Sequence, residues 1–259
     1  MSDDTALVTL ERRDNIALVT LNRPEARNAI SPEVSQTMSG LLDEIEADAQ
    51  LRAVVLTGAG EVFSAGADLK VVAQGRAMDI ARGKGGFAGI VTRDFPKPLI
   101  AAVNGPALAG GFEIVLSCDL VIAADTARFG IPEVQRGLMA AAGGLIRLPK
   151  RVPLAIALEL AMTGDPIDAA RALALGLVNR VVTRDRVVDE AAALAARIGE
   201  NSPIAVRQSR QLVREAAELP EAEGWRRTNE LVLDVFASGD AVEGATAFAE
   251  KRPPVWKST

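Results

Sequence analysis

The chemistry-bearing stretch of this chain is residues 107–118, Ala-Leu-Ala-Gly-Gly-Phe-Glu-Ile-Val-Leu-Ser-Cys. Gly110 and Gly111 let the backbone turn tightly and come close to a ligand. An apolar run with helical spacing follows at once. A helix starting here would aim the free N–H groups of its first turn out of its end, where they suit an anion or a developing oxyanion. Glu113 lies one turn in, within reach of whatever those amides hold. A carboxylate in so apolar a segment is costly unless it is paired or used. Two readings stand side by side: Glu113 serves a reaction, or it caps the N-terminus of its own helix.

The residues that are absent narrow the chemistry. The chain has no histidine, which excludes Ser-His-Asp and Cys-His catalysis and the His-x-x-x-His zinc helix. It has no tyrosine, which excludes a Tyr-Lys reductase pair. Acid–base work is left to Asp, Glu, Lys or the backbone. The single cysteine, Cys118, cannot form a disulfide within the chain and fits a reducing, cytoplasmic compartment. Its apolar neighbours mark it as a buried structural thiol.

Positioning such a site takes a large core, and 259 residues with 49% apolar content can supply one. A net charge of −5 offers no electrostatic case for nucleic acid or an anionic membrane. Residues 1–5 are polar and acidic, unlike a signal peptide, and no apolar run reaches the roughly 18 residues of a membrane span.

Alternating residues over 6–10 and 16–21 predict a β-hairpin, and Ser31 with Pro32 predicts a helix to about residue 49. Its apolar residues Val34, Met38, Leu41, Leu42 and Ile45 share one face. Buried strands are expected over 53–57, 99–103 and 120–124, and a short one over 178–182. Gly58-Ala59-Gly60 after the first of these lacks the third glycine of a dinucleotide fingerprint. Gly83-Lys84-Gly85-Gly86 lacks the Ser/Thr of a phosphate loop and reads as a mobile loop. Residues 128–133 read as an extended piece leading to a turn, and Gly143-Gly144 opens a further segment. Helices are expected over 154–162, 168–175, 187–198, 204–217, 221–236 and 240–251. Strands alternating with helices argue for an α/β protein with a parallel sheet and crossover helices. The change to all-helical character near Gly199 places a boundary there.

Taken together, the motifs resemble the crotonase (enoyl-CoA hydratase/isomerase) superfamily over essentially the whole chain. They are Leu21-Asn22-Arg23-Pro24, Arg27-Asn28-Ala29, Phe63-Ser64-Ala65-Gly66-Ala67-Asp68-Leu69-Lys70 and Ala109-Gly110-Gly111-Phe112-Glu113. Cys118-Asp119, Phe129-Gly130-Ile131-Pro132-Glu133, Gly143-Gly144, Thr163-Gly164-Asp165 and Gly176-Leu177-Val178-Asn179 follow in order. The resemblance implies a spiral of ββα units over 1–198 that carries an acyl-CoA site, with a helical trimerisation region over 199–259. It implies a homotrimer or a hexamer made of two trimers.

The resemblance also assigns roles. The backbone N–H groups of Ala67 and Gly110 would form an oxyanion hole for the thioester oxygen as it becomes an enolate. Glu113 and Glu133 would be the acid–base pair of a hydratase, one polarising water and the other handling the α-carbon proton. Two carboxyls facing one water cannot both ionise freely, so one should have a raised pKa. Coenzyme A would lie along Ala65, Asp68 and Leu69, with Arg27 and Lys70 as candidates for its phosphates. Phe248 and Lys251 match a pair that reaches the coenzyme A of a neighbouring subunit. No metal or redox cofactor is implied, since coenzyme A arrives as part of the substrate. The sequence Leu145-Ile146-Arg147-Leu148-Pro149 and the segment 241–257 are also similar to carnitinyl-CoA dehydratases. An isomerase usually lacks the first glutamate. A non-catalytic acyl-CoA-binding relative is the remaining alternative. Residues 139–142, Met-Ala-Ala-Ala, replace a Pro-containing stretch near the acyl pocket and leave chain-length preference open.

Overall fold

The computed structural model describes residues 6–257. Strands β1 (Val8–Arg13) and β2 (Ile16–Leu21) form the expected hairpin, Arg13 opposite Ile16, through a turn in which Asp14 has a φ of 52°. Helix α1 (Pro32–Ala47) starts where Ser31 Oγ accepts the Val34 N–H at 3.4 Å. It buries Val34, Met38, Leu42 and Ile45, and ends two residues short of the expected 49 because Asp48 leaves the helical region. Strand β3 (Ala53–Gly58) follows, then helix α2 (Leu69–Ala73), strand β4 (Leu99–Val103) and the two-residue strand β5 (Ala107–Leu108).

Helix α3 (Gly110–Ser117) is buried along its whole length. Next come β6 (Leu120–Ala124), β7 (Arg128–Gly130), a 3-10 turn over Pro132–Arg136, and the four-residue helix α4 (Gly144–Arg147). Helix α5 (Leu154–Thr163) is stopped by Gly164 in the left-handed region. Strand β8 (Ile167–Asp168), helix α6 (Ala169–Ala174) and strand β9 (Arg180–Val182) close the mixed part of the chain. Helices α7 (Val187–Gly199), α8 (Pro203–Ala216), α9 (Glu221–Ala237) and α10 (Asp240–Glu250) complete it.

The main sheet has the order β1-β2-β3-β4-β6-β9, parallel everywhere except the β1–β2 hairpin. Strands β3 and β4 are buried throughout, which is why they read as unbroken apolar runs instead of alternating ones. Helix α7 packs across β2, β3, β4 and β6. Of a second sheet, β5-β7-β8, the sequence showed only the extended piece over 128–133 that contains β7. Its strands are two or three residues long, too short for any periodicity to register. Pairing of Ile167 and Asp168 with β7 also shortens the helix expected over 168–175.

The small sheet matters for position. The segments that leave the C-terminal ends of β3, β4 and β6 converge there, with bridges Ser64–Ala107 and Ile30–Ala67 beside it. Ligands of parallel α/β sheets bind at such ends. Phe63, Phe112 and Phe129, the last of them in β7, are fully buried, with the rings of Phe112 and Phe129 5.6 Å apart between centroids. Two further 3-10 turns, Ala77–Ala81 and Phe87–Gly89, cover α1. The glycine-rich loop between them, expected to be mobile, is tied to α1. Ser39 Oγ donates to the Lys84 carbonyl at 3.0 Å, and Lys84 Nζ donates to Asp43 at 2.6 Å.

Candidate active site

The site is assembled from backbone first. Ile30 pairs with the strand-like turn at Ala67 by donating to the Gly66 carbonyl at 2.8 Å and accepting the Asp68 N–H at 2.9 Å. That pairing leaves the Ala67 N–H directed to the other side. Gly110 is the first residue of α3, so its N–H has no partner within the helix. Neither amide donates to an acceptor among the described residues, and both residues line one cavity. Gly66, with a φ of 87°, brings them together: a Cβ there would lie 2.7 Å from the Gly110 nitrogen. Ala109, just before Gly110, has a φ of 52° and a ψ of −132°, a conformation seldom adopted by any residue but glycine.

Glu113 does not cap its own helix. Its Oε1 accepts the N–H of Ala142 at 2.8 Å and of Gly144 at 2.7 Å, from the loop that opens α4. The residue is 3% exposed. Burial pushes its pKa above the usual carboxylate range, while the two amides and the Arg147 charge pull it back. Glu133 is held differently. It stands in the 3-10 turn after β7, and its Oε2 is buried with no hydrogen-bond partner among the described residues. Burial pushes its pKa up to about 7, and the nearby Glu113 charge adds to the rise. Glu133, although it follows Pro132 in a turn, is therefore not solvated as an ordinary turn carboxylate would be. The two glutamates differ in the way an acid–base pair requires: Glu113 Oε1 accepts two amides from another loop, whereas Glu133 has a hydrogen bond only from its own backbone and its Oε2 is left without a partner.

The cavity has a volume of about 990 Å³. Arg27, Ala65, Ala67, Leu69, Gly110, Glu113 and Glu133 all line it, so most of the residues singled out from the sequence meet at one place. Asp68 and Lys70 do not line it. Asp68 caps α2 by accepting the Lys70 N–H at 3.1 Å and pairs with Arg23 at 3.3 Å. Phe248, on α10 and 87% exposed, and Lys251, just past the end of α10, do not line the cavity in this single chain. Met139, Ala141 and Ala142 do form part of its wall. The wall also includes Phe87, Arg136 and Arg147, which the sequence reading gave no role. Their surroundings are long-range contacts with no local signature, although the Gly143-Gly144 pair marks the loop that Arg147 serves. Cys118 is buried outside the cavity, its thiol pushed up to about 12 by desolvation. Among the described residues no group of three or more Cys, Asp and Glu is gathered as a metal site, and no helix is long and apolar enough to cross a membrane.

Comparison with known proteins identifies the family. The family model described as enoyl-CoA hydratase/isomerase matches residues 11–259. A carnitinyl-CoA dehydratase of Citrobacter koseri is 44% identical over 252 residues, covering 95% of this chain and 96% of its own. The crystal structure of an enoyl-CoA hydratase from Mycobacterium tuberculosis superposes with a TM-score of 0.93 at 45% identity, covering 98% of this chain and 99% of that one. That of a carnitinyl-CoA hydratase from Mycobacterium avium superposes with a TM-score of 0.78 at 46% identity, covering 97% and 98%. With a matching family model over nearly its whole length and a crotonase fold built around a two-glutamate cavity, the chain belongs to the enoyl-CoA hydratase/isomerase family.

Proposed function

We propose that the protein is an enoyl-CoA hydratase that adds water reversibly to an uncharged 2-enoyl-CoA. The observation that carries this reading is the pair of unlike glutamates in one cavity with the Ala67 and Gly110 amides. The thioester oxygen accepts from those two amides, which stabilise the charge that builds on it as the enolate forms. Glu113, whose charged form is favoured by its two N–H donors, polarises a water and takes one of its protons as the water oxygen bonds to C3. Glu133, neutral below about pH 7, delivers its proton to C2. One proton is taken and one is given, and a shuffle between the carboxyls resets the site. Arg27, at the rim with Ala65 and Leu69, suits the anionic coenzyme A end.

A second reading, dehydration of a carnitinyl-type thioester, is favoured by the names of the curated relatives. The cavity wall speaks against a trimethylammonium tail. Arg27, Arg136 and Arg147 line it, Phe87 is the one aromatic residue among its lining, and its only carboxylates are the two glutamates. A quaternary ammonium is usually met by an aromatic or acidic cage. A catalytically silent relative would have no need of two carboxylates at this burial.

Steady-state hydration of crotonyl-CoA, of its trimethylammonium-bearing analogue and isomerisation of a 3-enoyl-CoA would separate the alternatives. The uncharged substrate is expected to have the largest kcat/KM. Glu113→Gln and Glu133→Gln should each cost about 100-fold or more in kcat while acetoacetyl-CoA still binds. Preference for the cationic substrate, isomerisation without hydration, or near-normal turnover in either variant would refute the assignment.

A further inference from the structure

We propose that Arg147 is a positioning residue for this reaction: its guanidinium holds the peptide that lies between the two amides gripping Glu113, and so fixes the aim of that carboxylate. The inference rests on the hydratase reading above.

The geometry is a relay through three consecutive peptides. The first and third supply the N–H groups of Ala142 and Gly144 that bind Glu113 Oε1. The carbonyl of the middle one, Ala142 O, accepts from Arg147 Nη1 at 3.4 Å. The other arm of the guanidinium, Nη2, donates to the Val91 carbonyl. Val91 belongs to the segment that carries Phe87, and the Phe87 ring lies where any side chain at Gly110 would have to go. Arg147 therefore spans from the loop that aims the carboxylate to the wall packed on the oxyanion amide. Gly143, with a φ of 102°, keeps the loop clear of the guanidinium; a Cβ there would collide with Arg147.

The charge has a purpose that packing alone would not need. No carboxylate lies within ion-pair distance of Arg147 among the described residues. Arg151 and Arg214 face it with like charge, and Glu113 is the carboxylate that favours its cationic form. The charged groups that bear on Glu113 are in turn Glu133 and Arg147. A half-buried guanidinium crowded by two other arginines is expensive to keep. A lysine would supply a point charge but could not fork to two carbonyls.

Arg147→Met and Arg147→Lys test this by kinetics across pH, with folding checked by circular dichroism and acetoacetyl-CoA binding as control. Arg147→Met should lower kcat by about 10- to 100-fold, with KM changed less than about 3-fold. Its acidic limb should move to higher pH by about half a unit or more, because Glu113 loses its cation. Arg147→Lys should keep the limb near its wild-type position and recover only part of kcat. Wild-type kcat with an unshifted limb in Arg147→Met would overturn the proposal, as would a loss that is uniform across pH and tracks the folded fraction. If Arg147→Met does not fold, Arg147→Lys decides: wild-type kcat overturns, reduced kcat with unchanged KM and limb supports. A wild-type protein that hydrates no enoyl-CoA would instead sink the hydratase reading. Arg147 would then be judged by carbon NMR titration of Glu113, which should ionise at higher pH in the Met variant, and an unchanged titration overturns the proposal.

Discussion

Glu133 is where residue chemistry and stability oppose each other. Its folded pKa of about 7 stands above its ordinary value of 4.5 because burial disfavours the charge. Between those values the folded state holds a proton that the unfolded state has released. Stability therefore falls as pH rises through this window, and the whole cost is present above about pH 7. Glu133→Gln cannot ionise and escapes that cost. Chemical denaturation should find the Gln variant more stable than wild type at pH 8 by about 1–2 kcal/mol, with the gap closing toward pH 5. The same proton sets the activity profile: kcat/KM of the wild type should decline above about pH 7, where Glu133 loses what it must donate. A gap that does not change with pH, or a flat alkaline limb, would remove Glu133 from the acid's role. That one of the two glutamates should have a raised pKa was expected from the sequence, but which one, and through what surroundings, was not legible in the chain. Glu113 stood out as a carboxylate in an apolar run, but its partners are amides about thirty positions away. The burial of Glu133 Oε2 without a partner is a fact of packing alone.

At the scale of elements, the long ones were read from the sequence, as were the helix that starts at Gly110 and the extended piece over 128–133, but the pairing of the short pieces around the site was not. Helix α1, with its Ser-Pro start, and the buried strands β3, β4 and β6 follow from pattern, because each repeats a rule over five residues or more. The site depends on β5, β7, α4 and three 3-10 turns, pieces of two to five residues whose conformation is imposed by contacts. Two alanines in or beside these pieces have a positive φ: Ala88, in the left-handed region within Phe87–Gly89, and Ala109, whose φ of 52° with a ψ of −132° precedes the Gly110 amide; Ala109 is the more strained. Its backbone is held by hydrogen bonds on both sides: its N–H donates to the Gly130 carbonyl at 2.9 Å, and its carbonyl accepts from Glu113 N at 3.1 Å. Such a conformation costs about 1–3 kcal/mol in a non-glycine residue, against about 0.5–1 kcal/mol of extra chain entropy for glycine. Ala109→Gly should therefore raise the melting temperature, by about 2–4 °C for a gain near 1 kcal/mol in a chain of this size. A lower melting temperature would mean that the methyl packs well enough to outweigh the strain.

For the whole molecule, the C-terminal helices are fastened on one side and bare on the other. Asp119 anchors α8 by accepting from Arg210 Nε at 2.7 Å and Arg214 Nη1 at 3.0 Å as well as from the Leu99 amide. Near the C-terminus, Trp256 Nε1 donates to the Glu200 carbonyl at 2.7 Å. The outer face of α9 is different. Trp225, Leu233 and Phe236 recur at helical spacing and are 62%, 66% and 67% exposed, while Leu231 is buried on the inner side. An apolar stripe of that kind is expected to be covered by another protein surface, and the trimeric assembly implied by the family resemblance would cover it with copies of this chain. Phe248, more exposed still, would then face a neighbour's cavity instead of water. Leu233→Glu with Phe236→Glu should place charge in that contact and shift sedimentation from trimer toward monomer. Phe248→Ala should leave assembly intact and raise KM for the acyl-CoA by about 3- to 10-fold with kcat nearly unchanged, the mark of lost uniform binding. A wild type that sediments as a fully active monomer would break both expectations, because the aromatic ring would then have no second cavity to enter.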